Sequence, residues 1–150
     1  MTVDDDLAAL LEGRPEVDQQ EQAFPFLTVD EHGYPHVALL SRSEVDVTAD
    51  HAEILVALRS RRTLANLERD AKATLIAVGG TVAHYAKLSG HRRLREDDGL
   101  VAWAFAVIEH KADSLGIPLH PVTFPTSDEV AQMERWDISD RALRRLASQR

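Results

Sequence analysis

Arg59, Ser60, Arg61, Arg62 and Thr63 follow one another where an apolar segment, Leu55–Leu58, gives way to an amphipathic one, Leu64–Ala71. Leu64, Leu67 and Ala71 share one face at helical spacing, which predicts a helix over Thr63–Asp70. The cationic run therefore sits at a helix start. The first N–H groups of a helix have no internal partner, and the helix dipole favours an anion there. Ser60, Arg61, Arg62 and Thr63, with Arg59 beside them, thus form a candidate phosphate cradle. The simpler reading is a solvated basic surface. The chain carries a formal net charge of −8, so this local excess of positive charge stands out.

Other chemistry is excluded or weakly signalled. With no cysteine there is no disulfide, no thiolate nucleophile and no thiolate-ligated metal. No Gly-rich dinucleotide fingerprint, P-loop or serine elbow occurs. His32 and His36 are separated by Gly33 and Pro35, so they do not share a helical face as a zinc pair would. The seven histidines show no organised spacing, and no metal site is expected. The negative charge argues against nucleic acid or an anionic membrane as the main partner. No apolar run is long enough to span a bilayer, and the acidic start MTVDDDLAALLEG is unlike a signal peptide, so a cytoplasmic location is expected.

The 150 residues suit one domain, 1–150, and 44% hydrophobic with 28% charged residues suits a globular one. Val3–Leu11 reads as a short helix with acidic residues in its first turn and Leu7, Leu10 and Leu11 as its stripe. Glu12–Gln22 reads as polar surface chain. Phe24–Ser41 reads as a hairpin turning at Gly33, with Pro35 opening the return strand. Glu44–Thr48 is a marginal strand or loop, Glu53–Leu58 a buried strand, and Ala73–Val78 a strand stopped by Gly79-Gly80. In Leu100–Ile108, Val101, Trp103, Phe105 and Val107 alternate with Ala102, Ala104 and Ala106. That predicts a strand whose alanine face meets a second subunit or another sheet; the competing reading is an alanine-rich helix. Pro118, Pro121 and Pro125 predict an irregular crossing. Thr126 and Glu129 suggest a capping box opening a helix through about Trp136, and Ser139–Ser148 a last helix with Leu143 and Leu146 inside.

Three features in order carry a resemblance. A hairpin holds Asp30, Gly33, Pro35 and Val37. A strand ends in Ser60–Thr63 and leads into a helix with an Asn66-Leu67 step. A strand at Ala73–Val78 follows. This order resembles the pyridoxamine 5′-phosphate oxidase-like family of flavin-binding split barrels, over roughly Phe24 to Asp113.

The resemblance implies a mainly β, antiparallel split barrel with short flanking helices, a homodimer, and FMN bound at Ser60, Arg61, Arg62 and Thr63. It also implies that the strand Pro35–Ser41 lies along the flavin ring, adding His36, Val37 and Ser41 to the cofactor set. Many members carry Arg at the His36 position and Lys near Thr63, so this cradle is less cationic, and Arg59 or Arg61 would have to compensate. The tail RALRRLASQR does not fit the true oxidase, so the vitamin substrate does not carry over. The expected function is FMN-dependent redox chemistry on a small molecule, with no general acid named. The alternatives are deazaflavin in place of FMN, a flavin- or haem-holding carrier or sensor, or a cofactor-free dimeric module.

Overall fold

The computed structural model describes residues 1–96 and 98–149. In chain order the elements are α1 (Asp5–Leu11), β1 (Gln20–Gln22), β2 (Phe24–Val29), β3 (Pro35–Leu40), β4 (Val45–Val47), β5 (Ile54–Leu58), α2 (Arg61–Arg69), β6 (Lys72–Gly79), β7 (Val82–Arg95), β8 (Val101–Ser114), β9 (Thr123–Pro125), α3 (Asp128–Met133) and α4 (Trp136–Ser148). Seven strands form one antiparallel sheet in the order β3-β2-β6-β7-β8-β5-β4. The sheet curls into a half-barrel whose terminal strands are β3 and β4. The strand reading of Leu100–Ile108 holds, and β8 runs on to Ser114.

The inner face is the main core. Phe26 from β2 meets Phe105 from β8 edge-to-face, with ring centroids 5.7 Å apart. Val101, Trp103, Phe105 and Val107 all point inward, as the alternation predicts. Strands β7 and β8, both 14 residues long, form the spine of the sheet, bent by bulges at Lys87/Leu88 and Gly90/Arg92. A Cβ on Gly90 would stand 2.8 Å from Trp103 Cε3, so the ring packs where only a glycine leaves room. Helix α1, capped by Asp4, buries Leu7, Ala8 and Leu11 against β4 and β6.

The alanine face is not free for a partner, which corrects the sequence expectation. Helix α4 lies on it, and Ala102 and Ala104 pack with Leu55 and Ala57 against Ile138, Ala142, Leu143 and Leu146. Small side chains let the helix approach the sheet closely. A charged pin fixes it there: Arg92 holds both carboxylate oxygens of buried Glu53 at 2.7 and 3.1 Å and donates to the Leu146 carbonyl at 2.7 Å.

The tail also differs. Ser127, not Thr126, caps α3 through the Val130 N–H, and Thr126 instead bonds the carbonyls of Glu16 and Gln19. Those bonds fasten β9 beside β1, a pairing that polar three-residue strands do not announce. Arg135 takes a left-handed conformation (φ 54°), so α3 stops there and α4 begins at Trp136, ahead of Ser139.

Ala104→Glu should destabilise the protein by several kcal/mol, because a charge would replace a fully buried methyl under α4. Urea denaturation reads this, and an unchanged midpoint would show that α4 does not pack there.

Candidate functional site

Helix α2 begins at Arg61, two residues ahead of the Thr63 start read from the sequence and three before its first apolar position. Ser60 is its N-cap and accepts the Thr63 N–H at 3.3 Å. The first turn holds no acidic residue. Arg61 and Arg62 are exposed, whereas Thr63 is fully buried with its hydroxyl unpartnered among the described residues. Thr63 therefore faces the core, and the surface part of the cradle is Ser60, Arg61 and Arg62. Arg59 turns away to Asp98, 3.4 Å off.

His36 comes to the same region from a different element. It sits on the inner row of β3 opposite Thr28. The Thr28 hydroxyl accepts from Asn66 Nδ2 of α2 at 3.0 Å. Asn66 Oδ1 in turn accepts from both terminal nitrogens of Arg69, at 3.3 and 3.4 Å, and Arg69 also donates to the Val29 carbonyl at 3.1 Å. This chain of bonds docks α2 on β2 and aims Arg69. The result is a cavity of about 270 Å³ lined by His36, Arg62, Asn66 and Arg69, with Asp30, Glu31 and His32 on its rim. Asp30 is held below the usual carboxylate range, chiefly by the Tyr34 N–H, so it stays ionised; its Oδ1 is occupied by the N–H groups of His32 and Tyr34 in the hairpin turn.

Ser41 lies at the far end of β3, about 17 Å along a strand of this length. It is buried, and its hydroxyl is 2.6 Å from that of Ser43. Glu44 accepts from the Ser41 N–H at 3.2 Å, and Arg42, bonded to Glu21 at 2.7 and 3.0 Å, pins the turn to β1. A second cavity, about 320 Å³, opens here between Leu39, Leu40, Ser41, Glu44, Phe124 and Trp136. Burial, with Glu134 nearby, pushes the Glu44 carboxyl up to about 7.

Val37 points to the opposite face of the sheet, half exposed. The row Val37–Leu27–Thr74–Lys87–Glu109 crosses five strands there. Leu27, Thr74 and Lys87 of this row, with Val29, Pro35 and Ile108, line an apolar groove of about 580 Å³.

Solved structures share this architecture. An F420 reductase superposes with a TM-score of 0.57 at 11% identity, over 73% of this chain and 98% of that one. The flavin reductase of styrene monooxygenase from Pseudomonas putida S12 gives 0.56 at 11%, over 80% and 92%. A Clostridium acetobutylicum protein of the pyridoxinephosphate oxidase family gives 0.51 at 16%, over 73% and 88%. The chain shares the split-barrel fold of these structures. No family model matches the sequence. The uncharacterised Bacillus subtilis protein YclD is 36% identical over 85 residues, a match spanning 56% of this chain and about half, 54%, of that protein.

In this split barrel the residues singled out from sequence fall into separate places. His36 and Arg62 meet in one cavity, with Ser60 and Arg61 on the adjoining helix start. Ser41 belongs to the second cavity, Val37 to the outer face and Thr63 to the core. Arg69, Glu44 and Trp136 escape the sequence reading. The first was legible, since Arg62, Asn66 and Arg69 fall on one helical face. Glu44 and Trp136 come together only through the β1–β9 pairing and the break before α4.

Glu44 yields a pH signature. Its folded-state value is above the ordinary 4.5, so the folded protein keeps a proton that the unfolded chain loses. Its contribution to stability therefore falls as pH rises from about 4.5 to 7, by on the order of 3 kcal/mol. Glu44→Gln should remove that loss and be the more stable protein at pH 8. Parallel pH–stability profiles for the two proteins would contradict the burial of this carboxyl.

Proposed function

We propose that this protein binds FMN along β3 and uses it as an oxidoreductase acting on a small molecule. One observation carries the reading. His36 from the terminal strand and Arg62 from the helix start, distant in sequence, face one cavity together with Arg69 and Asn66. Arg62 in the first turn of α2 and Arg69 in its last lie on one helix face beside His36, and paired guanidinium groups suit a dianionic phosphate. The side of β3 away from β2 has no strand partner, so its N–H and C=O groups can serve the polar edge of a flavin ring. Beyond it, the cavity at Leu39, Leu40, Phe124 and Trp136 supplies apolar walls, with Glu44 as a polar group.

Bound flavin supplies hydride or electron transfer. The chain's own tasks are then to hold the phosphate, to orient the ring along the strand and to exclude water on one side. Glu44, poised near neutrality beside Ser41, can hold or release a proton at Oε2 within the second cavity while Oε1 accepts from the Ser41 N–H. The resemblance in fold to flavin and F420 reductases supports a flavin or deazaflavin over haem.

The protein is further proposed to be a homodimer that covers its outer sheet face, not the alanine face. Val29, Val37, Leu39 and Ile108 are each at least half exposed there. Val37→Glu and Ile108→Glu should each fold and run as monomers in light scattering. Dimers unaffected by both would place the interface elsewhere, and a monomeric wild type would remove it.

The phosphate assignment is tested by calorimetry with FMN and riboflavin. FMN should bind more tightly. Arg62→Ala should weaken FMN roughly ten- to a hundredfold, because a charge-assisted hydrogen bond contributes about 1.5–3 kcal/mol. Riboflavin affinity should not change. Equal loss for both ligands would mean that Arg62 holds no phosphate. If the native protein prefers the F420 deazaflavin in the same titration, the cofactor is corrected and the site retained.

A further inference from the structure

At the end of the half-barrel closed by α1, two histidines face each other. His84 on β7 stands opposite Ala112, and His110 on β8 opposite Ala86, so they are diagonal neighbours on one face of the β7–β8 ladder. Their rings stack with centroids 5.1 Å apart and planes 15° from parallel, and His84 Nδ1 is 2.9 Å from His110 Nε2. His84 is buried and His110 half-buried. Asp4 joins them from α1. One ligand atom from each of Asp4, His84 and His110 lies within 4.8 Å of the other two.

From this geometry we infer a divalent transition-metal site, of the zinc class, formed by Asp4, His84 and His110. Ligand atoms around one tetrahedral ion with bonds of ~2.0–2.1 Å stand about 3.3 Å apart, so the three need only small side-chain adjustments to converge. Two imidazoles and one carboxylate select zinc, cobalt, nickel or copper over magnesium or calcium, which prefer all-oxygen cages. Three protein ligands leave a position open, and exposed Asp4 puts that position towards solvent.

The ligands are held in place by structure that serves the fold. Asp4 Oδ2 caps α1 through the N–H groups of Asp6 and Leu7, which orients the carboxylate and leaves Oδ1 for the ion. The preceding residue is anchored too, by the Val3 N–H to the His51 carbonyl at 2.6 Å. The site joins the start of α1 to the spine of the sheet. It lies apart from the cavities assigned to the cofactor, with which it shares no residue.

The test uses the full, untagged chain stripped of metal with a chelator. Zn²⁺ is titrated by calorimetry, and Co²⁺ by its visible d–d bands. The expected result is one saturable ion per chain, Co²⁺ bands of a four- or five-coordinate site, and a higher melting temperature with metal. His110→Gln should lose at least tenfold in affinity. Asp4→Asn, which keeps a cap on α1, should weaken binding comparably while folding normally. His32→Gln and His120→Gln should bind as the native chain does. If His84→Gln fails to fold, the other variants still decide. Absence of saturable binding, or binding unchanged in both His110→Gln and Asp4→Asn, would overturn the site and leave the pair a hydrogen-bonded contact.

Discussion

A sheet that curls without closing leaves two strands with one unpaired side, and the rest of this molecule is organised around that constraint. At one end the problem is kept small, since β4 has only three residues. At the other, β3 pairs with β2 over all six of its residues and, among the described residues, carries no strand on its far side. Such an edge is either a liability or a binding surface. Here both cavities proposed for the cofactor open along it, one at His36 and one at Ser41.

The helices then follow from what each face leaves uncovered. Helix α2 docks on β2 through Asn66 and Thr28 and brings its arginines to the start of β3. Helix α4 covers the alanine face of β8, and the Arg92–Glu53 pair reaches from the sheet to the Leu146 carbonyl at its end. Glu53 is buried and also meets His91 Nε2 at 2.8 Å, so removing Arg92 would weaken the compensation of a buried charge, and the pair works more to fix position than to add net stability. The outer face of β2 and β3 receives no helix. Val37 and Leu39 remain half exposed there, beside the edge that holds the cofactor in this account.

Much of this was legible in the sequence, for identifiable reasons. Strand alternation set Val101 to Val107 facing inward, because a two-residue period admits only two arrangements. Helix α2 was legible to within two residues of its start because a cationic turn precedes an apolar stripe. The alanine face was read correctly as a close-packing surface, but its occupant was not, since small residues fit a helix as well as a second subunit. Thr126 showed a cap signature and instead serves β1 and β9, because hydrogen-bonding partners more than a hundred residues away leave no local trace. The same long-range assembly explains Glu44 and the Asp4–His84–His110 cluster, whose members come from three elements that meet only in the fold.

In the proposed site a phosphorylated flavin lies along β3 with its phosphate on the face of α2 that carries Arg62 and Arg69. A crystal structure of the protein with FMN tests it most directly. The expected structure has the phosphate between Arg62, Arg69 and His36, with the ring running along the unpaired side of β3 towards Ser41 and Trp136. A phosphate bound away from Arg62, or a ring on any strand other than β3, would contradict it.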